Sequence, residues 1–130
     1  ILTEAKDLFK ENYYDQNIMH ILVNNYIIND SKYSSFVKNL QGDNISLEIQ
    51  FICIPNNVVS MLDKTLEKFQ IKIIKCIDGN YMKNFFRRTS LTFEKMVCEI
   101  KSGCNENEII LVPKTIKNKG FFEKFFQLFS

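Results

Sequence analysis

The chain has 130 residues, the size of one ordinary domain, with 45% hydrophobic and 25% charged residues; these are globular proportions and exclude a disordered or fibrous chain. Seventeen basic residues against 15 acidic ones leave a net charge of +2, too weak an excess to draw the chain to nucleic acid in bulk, so any such attraction falls to local clusters. The cysteines at 53, 76, 98 and 104 form no CxxC pair and only one histidine accompanies them. That spacing argues against a zinc site and predicts four reduced thiols in a cytosolic protein, with Cys53 and Cys76 acting as small hydrophobes. No run is long and apolar enough to span a bilayer. The opening residue is Ile1 rather than Met, which predicts an excerpt of a longer protein.

In chain order, Leu2, Ala5, Leu8 and Phe9 recur at helical spacing and predict a helix over 2–12. The β-branched and aromatic run from Asn17 to Asp30 predicts one long or two short strands, with Asn24-Asn25 marking a bulge or bend. Residues 30–44 are polar, and Gln41-Gly42-Asp43-Asn44 signals a turn. From Ser46 to Ile54, Leu47, Ile49, Phe51 and Cys53 alternate with Glu48 and Gln50, the pattern of a half-buried strand that Pro55 stops. Asn56 or Asn57 caps a helix running to about Gln70, with Val58, Met61, Leu62, Leu66 and Phe69 as its apolar face. Ile71–Ile77 reads as a strand closed by Asp78-Gly79-Asn80, residues 81–101 as helical, and Glu108–Val112 as a short strand. A lysine-rich linker over 113–120 leads to a last helix over 121–130. Strands and helices without strict βαβ alternation predict an α+β fold with one small sheet.

The sharpest feature is the C-terminal run. At about 100° per residue, Phe121, Phe122, Phe125, Phe126, Leu128 and Phe129 fill an arc of roughly 160°. Lys117, Lys119 and Lys124 stand beside that arc, an arrangement suited to a bilayer interface with anionic headgroups. The alternative is a terminal helix folded back on the domain's own core, in a soluble interaction module. Phe85-Phe86-Arg87-Arg88 sets aromatics beside charge, but a lone doublet is a weak nucleic-acid signal, and a core-facing Phe pair with solvated arginines is the expectation. His20 lies in an apolar strand with no Cys or carboxylate at ligand spacing, which favours a structural role. No Gly-rich phosphate loop and no recognisable Ser/His/Asp set is present, so the sequence predicts a binding module without catalytic activity or cofactor.

Residues from about 4 to 86 resemble the small SHS2-type subdomain of the bacterial cell-division protein FtsA. The likeness rests on His20-Ile-Leu-Val-Asn-Asn-Tyr26-Ile-Ile-Asn-Asp30, on Gly42 ahead of Leu47-Glu-Ile-Gln-Phe-Ile52, on the helix of the Asn57-to-Phe69 type and on the Ile71–Ile77 run. Gly120-Phe-Phe-Glu-Lys-Phe-Phe-Gln-Leu-Phe129 is similar to the membrane-targeting helix that ends FtsA proteins. The actin-like body and its phosphate-binding loops are not present, so ATP binding is not implied. The resemblance implies an SHS2-like mixed sheet with packed helices over 1–112, of which 87–112 match nothing in the family, then the linker and an amphipathic membrane-targeting helix. It implies a membrane-tethered adaptor of the division machinery, cytoplasmic and peripheral on the inner face of the cell membrane. Its partners would be other division proteins or a second copy of itself, and the anionic membrane, with no nucleic acid. Within the 20–54 surface it points to His20, Tyr26, Asp30, Glu48 and Gln50 as partner contacts.

Overall fold

A computed structural model describes residues 1–39 and 42–110. Its elements are α1 (Leu2–Asn12), β1 (Gln16–Ile28), β2 (Ser31–Tyr33), β3 (Ile45–Pro55), α2 (Asn56–Glu67), α3 (Gly79–Phe85) and α4 (Phe93–Ser102). The fold is α+β, as the mixture of periodicities predicts. The three strands lie in the order β2-β1-β3, and every pairing is antiparallel rather than mixed.

β1 is one continuous strand of 13 residues that organises the rest. Its register against β3 slips between Ile18 and His20 and again between Val23 and Asn25. Each slip adds one residue to β1 and so reverses which face the next side chains take. Ile18, Ile21, Val23 and Tyr26, spaced unevenly at 3, 2 and 3 residues, thereby all serve one core. Across the ladder Ile21 meets Phe51, Val23 meets Ile49 and Tyr26 meets Leu47, the cross-strand pairs that stabilise a sheet. The bend expected at Asn24-Asn25 is the second slip.

The sheet carries a core on each face. On one, Ile21, Val23, Tyr26 and Ile109 are buried, with Leu2 of α1 packed against them and Phe9 stacked on Phe51 at 4.5 Å. On the other, Tyr81 and Met82 of α3, Phe86 just beyond it and Ile100 of α4 pack against Leu22 and Ile52. Phe86 is thus core while its neighbour Phe85 is part exposed, so the doublet splits and offers no pair of stacking rings.

Several elements differ from expectation. β2 exists because Asn29 and Asp30 both take positive φ, 46° and 65°, making a two-residue hairpin whose twist suits strand pairing. The α2 helix begins without an asparagine side-chain cap; Asn56 instead donates its side-chain amide to the Tyr14 carbonyl and its backbone N–H to that of Asp15, tying α2 to the start of β1. Ile71–Ile77 is no strand: it lies beside no ladder partner among the described residues. The 81–101 stretch is two helices, with a break before Thr92. Of the strand expected over 108–112, Glu108 makes an isolated bridge to Leu22; residues 111 and 112, the linker over 113–120, the helix over 121–130 and Gln41 lie outside the described residues.

Candidate functional site

The bulge that rotates β1 at Ile18/His20 turns His20 away from the α1 core and toward α3. There it is almost completely buried, a burial tolerable only with both ring nitrogens occupied. The backbone N–H of Asp78 donates to Nε2 at 2.9 Å. That nitrogen therefore bears the lone pair, and Nδ1 carries the proton, which it gives to Glu108 Oε1 at 2.7 Å. The other carboxylate oxygen, Oε2, accepts from the Tyr81 hydroxyl at 2.8 Å. Asn105 donates to the same hydroxyl at 2.9 Å, and the Asp78 side chain caps α3 by accepting from the Tyr81 N–H at 2.7 Å.

The electrostatics follow from this closed circuit. Burial pushes the Glu108 carboxyl up, but the hydrogen bonds from His20 and Tyr81 outweigh it and hold the group below its ordinary value, ionised. Burial first, and then the adjacent Glu108 charge, push the Tyr81 phenol well up, so it remains a donor. No buried side-chain nitrogen or oxygen among the described residues lacks a partner. The arrangement resembles a histidine–carboxylate pair of the catalytic kind, but its Nε2, the atom that would take a proton from a nucleophile, is already committed to a backbone amide. The network joins β1, α3 and the 105–109 segment.

The five sequence-predicted partner residues are not brought together as one exposed patch. His20 and Tyr26 are buried, which corrects their assignment to a contact surface. Tyr26 reaches Asn107 Oδ1 at 3.2 Å. Asp30 is exposed at the hairpin turn, and Gln50 is exposed on β3. Glu48 is half-buried and held by Lys32 and Asn25, whose hydrogen bonds keep its carboxyl low. The membrane-binding set Lys117, Lys119, Phe121, Phe122, Lys124, Phe125, Phe126, Leu128 and Phe129 lies outside the described residues.

Two surfaces remain open. β3 is an edge strand: over its 11 residues its outer side pairs with nothing among the described residues. A groove of about 540 Å³ runs beside β1, lined by Ile18 and Ile110 together with Lys6, Lys10 and Lys75. Sequence reasoning missed Glu108, Tyr81 and Asn105. The four cysteines are free, with Cys98 exposed and the others half-buried; burial raises the thiols of Cys53 and Cys104 and so makes them less reactive. Among the described residues no three His, Cys, Asp or Glu side chains gather as a metal site, and no helix is long and apolar enough to cross a membrane.

These features define a small antiparallel α+β domain with a structural buried histidine and an open sheet edge. No protein-family model matches the chain, and no curated protein or solved structure is similar to it.

Proposed function

We propose that the chain is a peripheral membrane adaptor, acting by binding alone, in the manner of the FtsA-like division proteins its sequence resembles. The observation that carries the reading is the Phe-rich sequence of residues 121–129 beside Lys117, Lys119 and Lys124, whose chemistry at helical spacing would fit an anionic bilayer interface. The sheet domain supplies the protein contact. The open edge of β3 supports this, because an unpaired strand offers a row of backbone donors and acceptors to an added strand, and exposed Gln50 lies on it. The closed hydrogen-bond circuit at His20 supports a binding role over a reactive one.

Co-sedimentation with anionic liposomes tests the reading, comparing the full chain with Phe125→Glu/Phe126→Glu and melting both. The wild type is expected to sediment and the variant to sediment much less, with equal melting temperatures. A variant that sediments like wild type, or that melts well below it, removes the membrane anchor; the lower melt would instead place the terminal segment in the core.

A further inference from the structure

α2 buries little. Val58, Val59 and Leu66 are half-buried, but Met61 is 61% exposed, and the chain that follows exposes Phe69 at 72%, Ile71 at 53% and Ile74 at 88%. Isolated exposed apolar residues are ordinary, but large ones crowded into 14 consecutive positions (61–74) mark a surface with a use. The backbone here is held rather than loose. Phe69 and Ile71 both donate their N–H to the Leu66 carbonyl, Gln70 donates to that of Glu67, and Gln70 takes a left-handed φ of 59°. Phe69 thus sits in a hydrogen-bonded turn with its side chain largely exposed.

The charges around these residues identify the occupant. Lys64, Lys68, Lys72 and Lys75 are exposed and interleave with the apolar side chains. Asp63 and Glu67 are the acids of this stretch, and none follows from Lys68 to Ile77. None of the four lysines forms a salt bridge among the described residues, and only Lys75, which shares the β1 groove with Glu108, has its charge set against a buried carboxylate. A second copy docked here about a two-fold axis would bring four lysines from each copy together with only Asp63 and Glu67 from each to offset them. The chain's own C-terminal segment brings Lys117, Lys119 and Lys124, again the same sign. An anionic lipid surface satisfies both components: the apolar side chains enter the acyl boundary while the lysine stems lie along it with their ammonium groups among the phosphates.

We propose that the α2 end and the following turn, through Met61, Phe69, Ile71 and Ile74 with Lys64, Lys68, Lys72 and Lys75, form a second membrane-contact surface specific for anionic lipid. This rests on the peripheral-membrane reading but uses different residues from it, so each can fail alone.

The test is partition of the full chain onto phosphatidylcholine vesicles with and without phosphatidylglycerol. It compares wild type with Phe69→Ser/Ile74→Ser, Lys68→Glu/Lys72→Glu and Phe125→Glu/Phe126→Glu. The Phe69/Ile74 variant is expected to bind about tenfold more weakly, and the lysine variant to show a smaller preference for anionic vesicles than wild type, both with unchanged melting temperature. Wild-type partition by the Phe69/Ile74 variant overturns the proposal, whatever the terminal variant does. So does a lower melting temperature, which would place the patch under another part of the chain, or a loss of self-association in vesicle-free solution, which would make it a dimer face. Weak binding by the Phe69/Ile74 variant with wild-type binding by the Phe125/Phe126 variant would sink the terminal-helix reading and leave this surface standing.

Discussion

At the scale of single residues, His20 and Glu108 form a buried pair in which each satisfies the other. Removing one member leaves a buried polar group uncompensated, whereas removing both and filling the space with hydrocarbon is often nearly neutral. His20→Leu is therefore expected to cost about 3 kcal/mol. The double variant His20→Leu/Glu108→Leu should cost less than the sum of the singles, as read from urea midpoints; additivity would show that the two do not interact. Acid acts on the same pair. The folded Glu108 carboxyl lies below its ordinary value of about 4.5, so between those two values the unfolded chain binds more protons than the folded one. The pair's contribution is fully present above about pH 4.5 and is lost as the pH falls through the folded value. Glu108→Gln should flatten that part of the stability–pH curve, and an unchanged slope would count against the assignment. This pair was only half legible in the sequence. A lone histidine in an apolar strand demands partners, but the carboxylate that answers it lies 88 residues away, where no local spacing rule reaches. The one available hint was an acid heading the apolar run Glu108-Ile-Ile-Leu-Val112.

At the scale of elements, legibility followed how local the cause was. α1, β1 with its Asn24-Asn25 slip, and β3 were readable because their side-chain periods are written along the chain. β2 was not, although Asn29-Asp30 between β-forming residues is a hairpin signal when both residues can take positive φ. Ile71–Ile77 failed in the opposite direction. Its Ile/Lys alternation matches a strand, but a strand requires a neighbour to receive its hydrogen bonds, and here Ile73, Cys76 and Ile77 are half-buried while Ile71, Lys72, Ile74 and Lys75 stay exposed with no ladder to join among the described residues. The turn before it offers a direct test. Gln70 at φ 59° holds a conformation that costs an L-residue about 1 kcal/mol or more. Gln70→Gly should raise the melting temperature by about 3 °C; a fall would mean that the glutamine side chain contributes something the backbone argument omits.

At the scale of the molecule, the two cores are not independent, because both use β1: Ile21 and Val23 face one, Leu22 the other. Melting is therefore expected to be a single transition for the described domain. Two membrane contacts on one chain, the terminal segment and the α2 surface, would reinforce each other once either is seated, since the second engages at high effective concentration. Combining Phe69→Ser/Ile74→Ser with Phe125→Glu/Phe126→Glu should then weaken vesicle binding beyond either pair alone.

The distance between His20 and Glu108 along the chain also sets a clock. During synthesis at roughly 5–20 residues per second, the 88 residues between them take about 4–18 s to make. From the completion of β3 at Pro55 onward, roughly 3–11 s of that interval, a growing chain has β1 and β3 complete, yet lacks the carboxylate and the 107–109 segment whose backbone joins β1 at Ile21 and Val23. The nascent protein thus passes through a period with a histidine seeking a partner and a sheet edge exposed, and a helper that shields strand edges would matter most in those seconds.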